Sequence, residues 1–510
     1  MCAPLNYPDR PVLVLLLAGI LACGGSLTAA TADRGAVDIG GRKQVLWDDS
    51  LLDSHDGVTF EAGTAVRTGE VDMVADKPWE AWMTGIYGTV IHDRGLFRMW
   101  YSARVTISEE YVAYAESKDG VHWQKPELGL MDFRGSKANN ILTPPTFRPH
   151  GVSVWRDPAA PPAARYKLLF AQYPVKGGTP KAFLTQAVSA DGLRFQFNGG
   201  SILDVRQGEK GVAFDTHNVC FWDGSPGQYV LYTRVRPGRS IGRAVSADPM
   251  DFPLPQKVLE PEKVEDADFY NPGVFRYAEA DRAYVALVPV FFHPMEKARP
   301  ADGRAMIKFQ YAGKPIEVPP PDSLDVHLFT SRDGIGWTRQ GEHRPVMALG
   351  PEGAFDSRQI YPFVGYVTVG DEIWIYYLGF NATHSQVLPE KKQGTVSRMV
   401  FRRDGFMSAS AGHAGAMIVT KPLTFSGSRL ELNVDCSAGG HLDLEILDAQ
   451  GKPLPGFTAA DHDRVYYNQL HKRVTFGGRE DLSALAGKTV RLRFSMRDCK
   501  LYAFQFQEAR

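Results

Sequence analysis

Apolar and polar positions alternate in short runs along most of this chain, and the runs are rich in Val, Ile, Phe, Tyr and Trp, the signature of half-buried β-strands. Three such runs recur in order. The first are Tyr87–Ile91, Gly151–Trp155, Asn218–Trp222, Pro272–Arg276 and Ile360–Val364. The second are Phe97–Tyr101, Tyr166–Phe170, Tyr229–Thr233, Ala283–Leu287 and Ile373–Tyr377. The third are Val112–Glu116, Leu184–Val188, Ile241–Val245, Val326–Thr330 and Val396–Val400. A turn of the form S-x-D-G-x-x-aromatic follows: Ser117–Trp123, Ser189–Phe195, Ser246–Phe252 (Pro249 replacing Gly) and Ser331–Trp337, with a degenerate fifth copy at Arg402–Phe406. The Asp positions lie 72, 57, 85 and 71 residues apart. In such a turn the Asp caps its own backbone, the Gly takes positive φ, and the aromatic restarts a strand. Five four-stranded units predict an all-β chain with a five-bladed β-propeller over residues 40–410.

The repeat stops after Gly405. Residues 413–510 carry short alternating runs such as Arg429–Val434, His441–Ile446 and Val490–Phe494, which predict a β-sandwich of jelly-roll-like type. At the other end, Val12–Ala22 is an unbroken apolar run of 11 residues, too short to span a bilayer but the length of a signal-peptide core. Residues 1–32 are therefore expected to be an export signal. Ala30-Thr31-Ala32 offers a cleavage site; the other reading, Ile20-Leu21-Ala22-Cys23, makes Cys23 a lipid anchor. The expected location is periplasmic or extracellular, or the outer membrane for the lipoprotein, with no transmembrane segment in the mature chain.

Composition narrows the chemistry. Lys and Arg number 57 against 58 Asp and Glu, so no excess of cations points to nucleic acid. Cys2, Cys23, Cys220, Cys436 and Cys499 form no C-x-x-C pair, which argues against structural zinc; export would permit a Cys436–Cys499 bridge, and two separate thiols remain the other reading. There is no G-x-S-x-G, P-loop or H-E-x-x-H, and no cofactor or metal is expected.

In a propeller the residues that enter the innermost strands face one mouth of the central channel. Those slots hold Asp76-Lys-Pro-Trp79-Glu80-Ala-Trp82, Arg148-Pro-His150, Asp215-Thr-His217-Asn218, Asp268-Phe-Tyr270-Asn271 and Asp356-Ser-Arg358-Gln359. Convergent carboxylates flanked by aromatics suit glycoside hydrolysis, in which one carboxyl protonates the leaving oxygen and another activates water or attacks the anomeric carbon. The catalytic candidates are Glu80 as acid or base, Asp215 as its partner, and Asp268 and Asp356 as further carboxylates. Asp76, Trp79, His150, His217, Asn218, Tyr270 and Arg358 are the candidate substrate-binding residues; Trp82 and Tyr361 are further aromatic platforms, and Glu352 and Asp325 weaker carboxylates. The partner is then a polysaccharide or oligosaccharide. The rival function is a carbohydrate-binding propeller without catalysis. A sialidase-like reading would need an arginine triad, and none is evident in the sequence.

The S-x-D-G-x-x-W turns and the blade count resemble the five-bladed propeller glycosidases, such as glycoside hydrolase families 32, 43 and 68 and the family 130 phosphorylases, over about residues 40–410. Tyr114–Gly129 and Ser136–Asn140 are similar to uncharacterised family-32-like secreted bacterial proteins. The resemblance implies a blade-one Asp as base or nucleophile, a middle-blade Asp as modulator, a Glu as acid, and an accessory β-sandwich. The chain departs from the pattern: Trp47-Asp48-Asp49 is not the W-[ML]-N-D-P-N-G nucleophile segment, Arg156-Asp157-Pro158 reads as a turn, and there is no Glu-Cys acid pair.

Overall fold

The computed structural model describes residues 35–508 apart from 107, 175–180, 198–199, 263–266, 293–306, 312–313, 319–321 and 385–393. The expected signal segment 1–32, with Cys23, lies outside the described residues.

The described residues form five antiparallel units around one axis. Blade one is Met83–Asp93, Leu96–Thr106 and Glu109–Ser117, with a fourth strand reduced to the bridge between Glu116 and Gln124. Blade two is Pro149–Arg156, Tyr166–Gln172, Phe183–Ser189 and Gln196–Phe197. Blade three begins with the split inner strand Val212–Ala213 and Val219–Asp223, then runs through Gln228–Val235, Ser240–Ser246 and Gln256–Leu259. Blade four begins with Ala267–Phe269 and Val274–Arg276, then Tyr284–Phe292, Ser323–Ser331 and Thr338–Arg339. Blade five begins with Gln359–Pro362 and Val367–Val369, then Glu372–Phe380 and Thr395–Arg402. The inner strands of blades one to four touch in order, the second and third strands of blade four meet the inner strand of blade five, and Val364 N–H donates to the Gly88 carbonyl at 3.0 Å to close the circle. The five-bladed propeller expected from the repeat is what the chain forms.

The outer strand of blade five comes from the start of the chain. Val66–Arg67 pairs with Val400 and Met399, and Met73–Val74 with Val396 and Thr395. Arg67 then forks onto buried Asp356, Nε and Nη2 each 2.6 Å from a carboxylate oxygen, and Tyr377 Oη donates to the same carboxylate at 2.8 Å.

The Asp119, Asp191 and Asp333 turns have the expected local form, whereas in the fifth copy Asp404 itself takes the positive φ, at +61°; all five have one further role. Asp119 Oδ1 accepts from the Val121 and His122 amides at 2.9 Å, and Gly120 stands at φ +77°. The Gly120 carbonyl accepts from Tyr376 Oη of blade five at 2.7 Å. Trp100 of blade one reaches the Gly192 carbonyl at 2.7 Å, and Tyr232 of blade three reaches the Gly334 carbonyl at 2.7 Å. Gln186 of blade two bonds the Pro249 carbonyl, and Tyr277 of blade four bonds Asp404 at 2.6 Å. Every repeat turn is thus latched to the preceding blade. A Cβ on Gly120 would come within 2.7 Å of Tyr376 Oη and 2.9 Å of Trp374, so the glycine serves close approach as well as φ.

The second module is a two-sheet sandwich whose core includes Leu432, Leu444, Phe494 and Phe504, all buried. Residues 40–62, expected within the propeller, pair instead with its strands: Leu52–Asp56 with Met417–Thr420, and Val58–Ala62 with Met407–Ala411. Cys436 and Cys499 are free thiols, Sγ atoms 2.7 Å apart, and Cys220 is a buried free thiol. No helix among the described residues is long and apolar enough to cross a membrane.

Removing one partner of a buried ion pair leaves the other charge stranded. Arg67→Ala, which strands the fully buried Asp356 carboxylate, should therefore lower the unfolding free energy by about 3 kcal/mol in urea titration. A loss below about 0.5 kcal/mol would show that the Arg67 clamp does not hold the ring.

Candidate functional site

Inner strands begin at one end of the channel, here called the upper mouth, and the repeat turns lie at the other. Blade one brings Tyr87 from its inner strand and, from its second and third strands, the cross-strand pair Arg104 and Glu110. Blade two brings His150 and Tyr173. Blade three brings Asp215, His217, Arg234 and Arg239, blade four Asp268 and Tyr270, and blade five Tyr361 with His384 after its second strand.

Three of these groups form a chain. Glu110 Oε2 lies 3.0 Å from His150 Nδ1, and His150 Nε2 lies 3.1 Å from Asp215 Oδ1. Arg104 Nη2 is 3.0 Å from Glu110 Oε2 and 2.7 Å from His150 Nδ1. The Glu110 side chain is 2% exposed and that of Asp215 is 52% exposed, so the chain runs from the interior to solvent. Arg234 Nη1 stands 3.7 Å from Asp215 Oδ2 and donates through Nη2 to the Tyr270 carbonyl at 2.6 Å. Arg239 holds Asp268 through its backbone amide and Nη1, both at 3.1 Å. Both guanidinium groups flank the Tyr270 ring, at 5.3 and 5.1 Å from its centroid. Tyr87 and Tyr173 stand edge-on to His150 at 5.0 and 5.2 Å, and Tyr270 meets Tyr361 at 5.3 Å.

Charge follows geometry. Burial works to raise the Glu110 carboxyl, but Arg104 and His150 override it and hold it at about 2. The partial burial of Asp215 acts in the same sense, and His150, Arg234 and Arg239 hold its carboxyl well below the ordinary range. Burial works against the charged form of His150, yet Glu110 and Asp215 raise it above the ordinary histidine value. His217 is the opposite case. Fully buried, with the Val152 backbone as its hydrogen-bond partner, it is pushed down to about 3 and stays neutral. Its Nε2 and Tyr87 Oη have no protein partner among the described residues, and the two rings stand 5.3 Å apart at the channel floor. Polar atoms so placed suit ordered water. Among the described residues no group of three or more His, Cys, Asp or Glu is placed to hold a metal ion.

The structure thus gathers Asp215, Asp268, His150, His217 and Tyr270 at one mouth. Other candidates are placed elsewhere, with partners of their own. Glu80 is sealed inside blade one: its carboxylate takes the Asp76 and Lys77 amides at 3.0 and 3.1 Å, Lys125 Nζ at 2.8 Å and Tyr101 Oη at 2.6 Å. Asp76 shares Lys125 at 2.5 Å beside it. Trp79 is buried against Phe133 at 5.7 Å. Asp356 is the buried partner of Arg67. Asn218 is buried, bonding the Phe214 and Thr216 carbonyls at 3.2 and 3.1 Å, and Arg358 turns to Glu352 at 2.6 Å. Asp325 pairs with His327 at 2.9 Å. Sequence reasoning missed Arg104, Glu110, Tyr87, Tyr173, Arg234 and Arg239. One signal was present: Arg104 and Glu110 sit symmetrically about a hairpin turn, where opposite charges form a cross-strand pair.

The lower end of the channel holds a cavity of about 560 Å³ lined by Trp155, Trp222, Phe275 and Tyr366 among others. Its one lining carboxylate, Glu279, accepts from Arg403 at 2.7 Å and from Thr368.

No family model matches the chain. Two uncharacterised proteins, from two strains of Mycobacterium tuberculosis, are each 36% identical over 72 residues, 13% of this chain; the chain spans about a quarter (24%) of the length of these curated relatives. Among solved structures, an N-acetylgalactosamine deacetylase from F. plautii in complex with blood group B trisaccharide is 14% identical with a TM-score of 0.48, covering 69% of this chain and 97% of that one. A glycosyl hydrolase from Bacteroides ovatus is 13% identical at 0.39, over 71% and 96%. A family 43 arabinoxylan arabinofuranohydrolase from Bacillus subtilis in complex with cellotetraose is 13% identical at 0.37, over 88% and 99%. These neighbours are similar at low identity only, and their activities remain their own.

His217 gives a prediction with a definite sign. Between about pH 6.5 and 3 the unfolded chain binds a proton there that the native chain does not, so stability falls as pH falls. Each pH unit removes about 1.4 kcal/mol. In urea titrations from pH 7 to pH 5, His217→Gln should lose about 2 kcal/mol less than wild type. Equal losses would show that His217 is charged in the fold.

Proposed function

We propose that this protein is an exported glycoside hydrolase that cleaves a glycosidic bond of a polysaccharide or oligosaccharide at the upper mouth of its propeller. Asp215 carries the reading. It is a half-exposed carboxylate, held ionised by His150, Arg234 and Arg239, and the partly exposed Tyr173 ring stands against the same His150. A fixed negative charge so placed stabilises the oxocarbenium-like transition state of glycoside cleavage, and tyrosine rings pack on the apolar faces of sugars. Asp268, on the next blade, is the second carboxylate, and Arg239 links the two: it bonds Asp268 and acts electrostatically on Asp215. Export through residues 1–32, or attachment at Cys23, belongs to the same proposal.

One observation favours the carbohydrate-binding rival. Each mouth carboxylate has an arginine: Glu110 has Arg104, Asp215 has Arg234 and Asp268 has Arg239. That pairing also suits a rigid hydrogen-bonding platform, and it leaves no bare arginine triad of the sialidase kind.

Product release from a panel of plant and algal polysaccharides separates the two. Turnover should fall at least about 100-fold in Asp215→Asn while sugar affinity and thermal stability persist. Saturable binding without turnover in the wild type would make the protein a lectin-like propeller.

A further inference from the structure

We infer that His150 is the proton carrier of this mouth, delivering its Nε2 proton to the leaving oxygen, and that Glu110 is the residue that positions and charges it. The inference rests on the hydrolytic reading above and departs from the carboxylic acid that the resemblance implies.

Hydrogen-bond logic fixes the proton on Nε2. Asp215 is ionised and can only accept, so the 3.1 Å contact requires a proton on His150 Nε2. Nδ1 faces two groups: Arg104 Nη2, which can only donate, and Glu110 Oε2, which can only accept. In the neutral ring that keeps Nε2–H, Nδ1 accepts from Arg104; in the charged form, which the two flanking carboxylates favour, Nδ1 turns its proton to Glu110 and the imidazolium gives one N–H to each carboxylate. When Nε2 surrenders its proton, Nδ1–H stays with Glu110 and the ring remains in the tautomer whose bare nitrogen faces the mouth. Glu110 is thereby a positioning residue, and His150 a catalytic one. The other groups packed against the ring are Tyr87 and Tyr173, through their edges, and the buried neutral His217 behind Tyr87 also feels its charge.

Spacing supports the assignment. Carboxyl groups that straddle a sugar ring stand about 5–5.5 Å apart in retaining enzymes and about 6.5–9.5 Å apart in inverting ones. His150 and Asp215, at 3.1 Å, are too close to straddle anything and act from one side as a unit. Glu110 and Asp215, the two carboxyls in contact with His150, are both held ionised, so neither of them carries the proton. In the step itself, Nε2–H breaks and the proton goes to the glycosidic oxygen, which keeps the electron pair of the broken C–O bond. Water then adds its hydroxyl to the anomeric carbon and returns its proton to Nε2, so the histidine ends as it began.

The test reads His150 in the resting protein and in turnover. With histidines isotopically labelled, NMR titration should place His150 above the ordinary histidine value, and Glu110→Gln should move it down by about one pH unit. The alkaline limb of kcat should move with it. His150→Gln should lower kcat by about 100-fold or more with sugar affinity kept. A titration and a pH profile that both ignore Glu110→Gln, with turnover intact, overturn the inference and spare the hydrolase. A titration that moves while no glycan is turned over overturns the hydrolase reading and upholds the Glu110–His150 coupling.

Discussion

Closure is the constraint on which this molecule depends. Five blades form a ring only if the last is joined to the first; here the start of the chain completes blade five through two short strand pairings and an ion pair before it enters blade one, and Val364 and Tyr376 of blade five bond Gly88 and Gly120 of blade one. Val66–Arg67 and Met73–Val74 complete blade five, and Arg67 is locked to Asp356 by two 2.6 Å bonds. The same logic is spread around the ring by the turn latches, each tying one blade to its predecessor. Because every mouth residue hangs from a strand end or loop at one end of this ring, the ring sets the spacing of the site. No single blade could hold Glu110, His150 and Asp215 in line, since they come from blades one, two and three.

At the mouth, burial and charge balance one another. Arginines Arg104 and Arg234 are almost wholly buried, where an unpaired charge would be costly, and each faces a carboxylate. Asp215 alone of that set reaches solvent. The result is a negative charge at the surface backed by a largely buried network, with one histidine suspended between two carboxylates. Such preorganisation suits chemistry on a neutral ligand, because the groups need not rearrange as charge develops.

The blades were legible because their signals are local: alternation within strands and an Asp that caps its own turn. The site was half legible. Reading the residues that enter each inner strand found Asp215, His150 and Asp268, but the same rule also picked Glu80 and Asp356. Their decisive partners, Lys125 and Arg67, lie 45 and 289 residues away in sequence, so nothing local distinguishes a buried brace from a catalytic carboxylate. Arg104 and Glu110 were passed over because charged residues at strand ends usually face water. Residues 37–62 could not be assigned to the sandwich, since their partner strands begin at Met407, more than 300 residues on.

The most direct measurement is a crystal structure of the Asp215→Asn protein soaked with an oligosaccharide that the wild-type protein recognises. The account places sugar density in the upper mouth, with a glycosidic oxygen within hydrogen-bond reach of His150 Nε2 and rings against Tyr173 or Tyr270. Density confined to the lower cavity, among Trp155, Trp222 and Tyr366, would contradict it.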